Sequence, residues 1–183
     1  FGEISLVSGR DATATVKAIG TQDVFCLEIN REEFESLFSN EPGALAEIQI
    51  KVLGNTVELK HVLVHPIGKK YFKEFSREQF AEENIDFWLE VDDLERSGLH
   101  RLRPSIAGIL YGVGLDKFND QKRKKLSAKV DYIYETYIKD SALAQVNIKS
   151  NVKDNIAKKI AEDDIDYEIY KPAKNEIYEL MSL

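Results

Sequence analysis

Val130, Ile133, Tyr134, Tyr137 and Ile138 stand at positions i, i+3, i+4, i+7 and i+8 of one another. That spacing lines one face of an α-helix and no face of a strand. The same rhythm recurs along the second half of the chain. Phe87, Val91 and Leu94, with Ile85 and Trp88 beside them, predict a helix over 82–95, and Ser76 and Gln79 ahead of it have capping-box spacing. Val152, Ile156 and Ile160 fall four apart. Ala173, Ile177, Leu180 and Met181 form the buried stripe of a last helix, with Pro172 in its first turn. Helices with one apolar face must stack around a shared interior. From Gly68 onward the expected fold is therefore all helix, broken only by residues 96–125. That stretch lacks a period, holds Pro104, Gly108, Gly112 and Gly114, and reads as a long loop with one short helix.

The front of the chain reads differently. Thr13, Thr15, Val16 and Ile19, ended by Gly20, and then Val24, Phe25, Leu27 and Ile29, read as two short strands. Asn30 caps a following helix in capping-box spacing with Glu33, and Phe34, Leu37 and Phe38 follow at helical intervals. Residues 43–64 form a linking helical stretch that Gly54 bends or breaks, and Pro66 stops it by disfavouring an α conformation at His65. The expected architecture is mainly α: an N-terminal β-roll remnant and linking helix over 1–64, then a helical bundle over 65–183.

Composition narrows the partners. The net charge of −7 argues against nucleic acid. The basic run 122–125 reads as a solvated loop or helix start. Cys26 is the only cysteine, which rules out an internal disulfide and suits a reducing cytoplasmic setting. No apolar run approaches the roughly 20 residues that span a bilayer. The first residue is Phe1 rather than Met, so the chain reads as a fragment.

Enzyme signatures are not visible. There is no Gly-rich phosphate loop with its Lys and no zinc-spaced Cys or His cluster. His61 and His65 lie four apart without a third ligand, and Pro66 breaks the helical turn that would align them. The acidic run 162–166 lacks calcium-loop spacing and reads as a solvated helix end. The informative stretch is 80–88, Phe-Ala-Glu-Glu-Asn-Ile-Asp-Phe-Trp. Glu82 and Glu83 fall in the first turn of a helix, where the dipole favours negative charge. Asn84 is a weak helix former this early and, taken alone, reads as a surface polar group.

Residues 82–88 resemble the signature at the third-to-fourth helix junction of regulator-of-G-protein-signalling (RGS) domains. Ile133-Tyr134 with Tyr137-Ile138, Val146-Asn147-Ile148, and Ile177-Tyr178-Glu179-Leu180-Met181 resemble later family segments in the family's order. The resemblance covers about residues 67–183. It implies a helical bundle that binds the switch segments of a heterotrimeric G-protein α subunit (Gα) and accelerates GTP hydrolysis without being an enzyme itself. Carried over position by position, Glu82, Glu83 and Asn84 meet a switch segment. Asn147 reaches toward the catalytic centre, and Leu180 packs on the switches. Phe80, Phe87 and Trp88 are expected in the core. The chain departs from the family in three places. Ala81 stands where Ser is usual, 96–125 is longer than the usual connection, and the chain ends before the Asp-Ser and Arg that continue the contact set. No cofactor is expected. The partner implies association at the inner face of the plasma membrane. A scaffold that binds without activating is the competing reading.

Residues 1–6 and 14–18 resemble the phosphate-binding cassette of cyclic-nucleotide-binding domains. The resemblance implies that Gly2 and Glu3 meet a ribose and an Arg meets the cyclic phosphate. Ala12 occupies the expected Arg position, and Arg10 lies two residues early. A cyclic-nucleotide sensor is therefore a further expectation.

Overall fold

The computed structural model describes residues 1–9, 11–12, 14–38, 40–99 and 115–183. Two compact units divide them, Phe1–Phe75 and Ser76–Leu183.

The first unit holds α1 (Glu3–Ser8), α2 (Arg31–Leu37), α3 (Pro42–Leu53), a 3-10 turn (Gly54–Thr56) and α4 (Leu59–Val64). It also holds most of α5 (Pro66–Glu78). The capping box forms as the sequence predicts: Asn30 Oδ1 accepts the Glu33 N–H at 2.9 Å, and the Glu33 carboxylate accepts the Asn30 N–H at 3.2 Å. Gly54 does break the linking helix, at a positive φ of 52°. His65 adopts the extended conformation that Pro66 imposes. His61 is buried, and its Nδ1 accepts the Glu58 N–H. Burial, with Lys60 nearby, holds its pKa below the usual imidazole value.

The β-roll remnant is corrected. Among the described residues there is no strand, and residues 3–8 are helical. Val24, Phe25 and Leu27 are exposed and belong to no ladder. β-Branched and aromatic residues favour a pleated surface only when a neighbouring strand supplies ladder bonds and a packed face. The pattern expresses the preference, but no pairing partner among the described residues satisfies it. The cyclic-nucleotide cassette, whose strands that roll would supply, loses its structural basis with it.

The second unit contains the end of α5, then α6 (Glu82–Leu99), α7 (Leu115–Ile133), α8 (Ser150–Ala161) and α9 (Lys171–Met181). The core joins the predicted stripes. Phe87, Val91 and Leu94 of α6 meet Val130 and Ile133 of α7, Ile156 of α8, and Ala173 and Ile177 of α9. Tyr170 is fully buried, its ring edge-on to Phe87, and its hydroxyl donates to the Val130 carbonyl at 2.7 Å. Burial raises its phenol well above the ordinary tyrosine range, so it stays neutral and can donate. Gly98 lets another tyrosine close on α6, since a Cβ there would come within 2.7 Å of the Tyr167 ring.

Three local readings change. Helix α6 runs four residues further than the predicted 95. Residues 115–125 of the expected loop are helical, and 100–114 lie outside the described residues. The basic run sits inside α7, where Arg123 bonds the Asp163 carboxylate and carbonyl. Ser76 caps nothing, because α5 continues through it and buries it. After Ile133, α7 widens into a π-helical turn, Tyr134–Ile138, closed by Lys139 N–H to the Tyr134 carbonyl at 2.9 Å.

Tyr170→Phe keeps the packing and removes one buried hydrogen bond. It should lower unfolding free energy by about 1 kcal/mol in a denaturant melt without changing the slope.

Candidate functional site

The first element of the site is the corner between α5 and α6. Helix α5 ends in a paired turn, with Phe80 N–H bonded to the Arg77 carbonyl at 3.0 Å and Ala81 N–H to the Ser76 carbonyl at 2.9 Å. This pattern needs a left-handed residue at its centre, a place usually taken by Gly. Phe80 takes it here, with φ 55°. Its ring is 95% exposed, so the expectation that it lies in the core is wrong. Phe87 and Trp88 are buried as expected.

Helix α6 opens directly after the corner. Glu82 pairs with Arg77 Nε at 2.9 Å. Glu83 accepts from Asn84 Nδ2 at 3.1 Å. Asn84 is not the surface group its type suggests. It is 8% exposed, and among the described residues its Oδ1 has no hydrogen-bond partner. A buried acceptor left unpaired costs on the order of 1–3 kcal/mol. Ala81, which cannot cap through a side chain, supplies only its carbonyl, to the Asn84 backbone N–H.

The second element is a groove of about 430 Å3 lined by Asn147, Ile148, Lys149, Glu176, Glu179, Leu180 and Leu183. The structure thus brings Asn147 and Leu180 together, although 33 positions separate them in the sequence. Glu176 holds the turn against α9, accepting the Lys149 N–H at 2.9 Å and pairing with its Nζ at 3.3 Å. Asn147 is exposed, and Leu180 is 42% exposed beside the fully buried Ile177.

Corner and groove are tied through the core. One turn after Asn84, the Phe87 ring packs on Tyr137 with centroids 5.8 Å apart. The Tyr137 carbonyl accepts the Val146 N–H at 2.9 Å, next to Asn147. Burial, with Tyr132 and Asp86 close by, raises the Tyr137 phenol above its ordinary range.

A sequence model of the Regulator of G protein signaling domain matches residues 58–183, more than half of the chain. The chain belongs to the RGS family. Regulator of G-protein signaling 1 from Xenopus tropicalis is 27% identical over 110 residues, 60% of this chain and 43% of that protein. Regulator of G-protein signaling 10 from Rattus norvegicus is 25% identical over 123 residues, 67% of this chain and 54% of that protein. Regulator of G-protein signaling 18 from Mus musculus is 24% identical over 182 residues, 95% of this chain and 67% of that protein. The chain spans about half the length of most of these relatives.

The two described residues of the cyclic-nucleotide expectation belong to the first unit of the RGS chain. Gly2 precedes the six-residue α1, and Glu3 opens it near the Phe1 ammonium. Arg10 lies outside the described residues. Among the described residues no helix is long and apolar enough to cross a membrane.

Phe80 is the residue that sequence reasoning misplaced. A signal was present: two helices separated by three residues without Gly or Asn force some other side chain into the left-handed position. Phe80→Gly should relieve that strain and stabilise the fold by about 1 kcal/mol, seen as a melting point about 2–4 °C higher.

Proposed function

We propose that this RGS chain is a GTPase-activating module that docks on the switch segments of a Gα subunit in the conformation they take during hydrolysis. The observation that carries the reading is the groove that pairs Asn147 with Leu180. It sets an amide able to donate and accept beside an exposed aliphatic side chain, at one end of a rigid bundle. Gα subunits carry their catalytic Arg in cis, so an activator need not insert one. It needs to hold mobile switches in the hydrolytic arrangement, and interactions made only in that state accelerate the chemical step. Asn147 is suited to orienting the Gln that positions the attacking water. Glu82, Glu83 and Asn84 grip a second switch. The orphaned Asn84 Oδ1 is the acceptor that a donor from the partner satisfies, and the exposed Phe80 covers the contact from its edge.

A scaffold that binds without activating is the second reading. Ala81 favours it, because Ala in place of the family's Ser removes one contact at the corner.

The test is single-turnover GTP hydrolysis by representatives of several Gα classes, with the protein that carries this chain. At least one class should hydrolyse faster in its presence. Asn147→Ala should slow the stimulated reaction about tenfold, about 1.4 kcal/mol in the barrier, at unchanged melting temperature. Phe80→Gly should weaken capture of Gα bound to a transition-state mimic while raising stability. Capture without acceleration, and without preference for the mimic, selects the scaffold reading.

A further inference from the structure

Lys174 lies on the apolar stripe of α9 and is only 9% exposed, which is unusual for a lysine. Its ammonium lies 2.8 Å from Asp92 Oδ1, 2.6 Å from Glu95 Oε2, and 4.5 Å from the centre of the Trp88 ring. Residues 88, 92 and 95 fall at i, i+4 and i+7, so all three partners stand on one face of α6. Asp92 also pairs with Arg96 Nε at 2.7 Å. The second oxygen of Glu95 is buried and, among the described residues, has no partner. Nothing in the docking surface uses this cluster directly.

We infer that Lys174 is a positioning residue: it pins the register of α9 against α6, and so fixes Leu180 and the Asn147 turn relative to the Phe80–Asn84 corner. This rests on the function proposed above. Apolar side chains alone pin register weakly, because the α9 stripe of Ala173, Ile177 and Met181 could slide by a turn and still bury itself. A buried cation with three directional partners cannot slide without losing them. Buried ion pairs add little stability over well-packed apolar residues of the same shape, and fixing register is their best-attested role. The unpaired Glu95 oxygen agrees with this, since a group retained for stability alone would be fully satisfied.

One pin reaches both halves of the groove. Leu180 follows Lys174 by six residues, about 9 Å along the helix. Glu176, which holds the Lys149 backbone and hence the Asn147 turn, follows it by two. On α6, Asn84 precedes Asp92 by eight residues, about 12 Å.

The test removes the pin without leaving a charge unpaired, by combining Lys174→Met, Asp92→Asn and Glu95→Gln. Spin labels at positions 83 and 179, in a Cys26→Ser background, report the spacing of corner and groove by pulsed dipolar spectroscopy. Unlabelled protein reports affinity for Gα bound to a transition-state mimic. The unmodified chain should give one narrow distance. The triple variant should melt within a few degrees of it, give a shifted or broadened distance, and bind about tenfold more weakly. Glu95→Gln alone should fall between, and it decides the matter if the triple variant does not fold. Lys174→Arg, which keeps the cation, should retain a narrow distance and most of the affinity. An unchanged distance in the folded variants, or an altered distance with unaltered affinity, overturns the inference. An unmodified protein that captures no Gα refutes the functional reading instead, and the distances still decide whether Lys174 pins the register.

Discussion

Everything in the second unit hangs on the contact of α6 with α7 and α9. Phe87, Val91 and Leu94 lose nearly all their exposure there, against Val130, Ile133, Ala173 and Ile177. Burying a side chain of this size is worth about 1.5–3 kcal/mol. None of these helices is held by local propensity alone, since short helices are marginal in water. Tyr170 gives the seam direction as well as adhesion, because its hydroxyl reaches one carbonyl, that of Val130. The corner and the groove are the solvent-facing margins of this seam, so their geometry is inherited from it.

The margins break the rules that the interior obeys. The left-handed position goes to Phe80, an acceptor on Asn84 is buried unpaired, and the start of α6 has Ala81 where a capping side chain would serve. Each departure costs stability, and all three fall within five residues. Local rules fail in this concentrated way where a surface is shaped for something outside the chain.

This division also explains what the sequence disclosed. The apolar periods of α6 through α9 were readable because burial enforces them, and Pro172 and the Asn30–Glu33 box marked helix starts for reasons local to a few residues. The positions of Asn147 and Leu180 were legible only through family resemblance, and their meeting in one groove is a tertiary fact that no window of sequence contains. The front end misled because Val24, Phe25 and Leu27 carry a strand preference that depends on a neighbour. The preference of a helix former can be met within its own turn, whereas a strand former needs another strand. Lys174 was invisible for a related reason: its partners lie some 80 positions away, and its own surroundings read as an apolar stripe.

The widened turn at Tyr134–Ile138 has a consequence for how this chain tolerates change in length. A π-helical turn accommodates one residue more than regular winding would, and the surplus lets Tyr137 and Ile138 both reach the interior before the backbone leaves for Asn147. Deleting a single residue there would restore ordinary winding and rotate everything after it by about 100°. The amide of Asn147 would then leave the groove even though every helix survived. Chain length in this turn is thus fixed by angle rather than by reach, and the loss of one amino acid would abolish the surface while sparing the bundle.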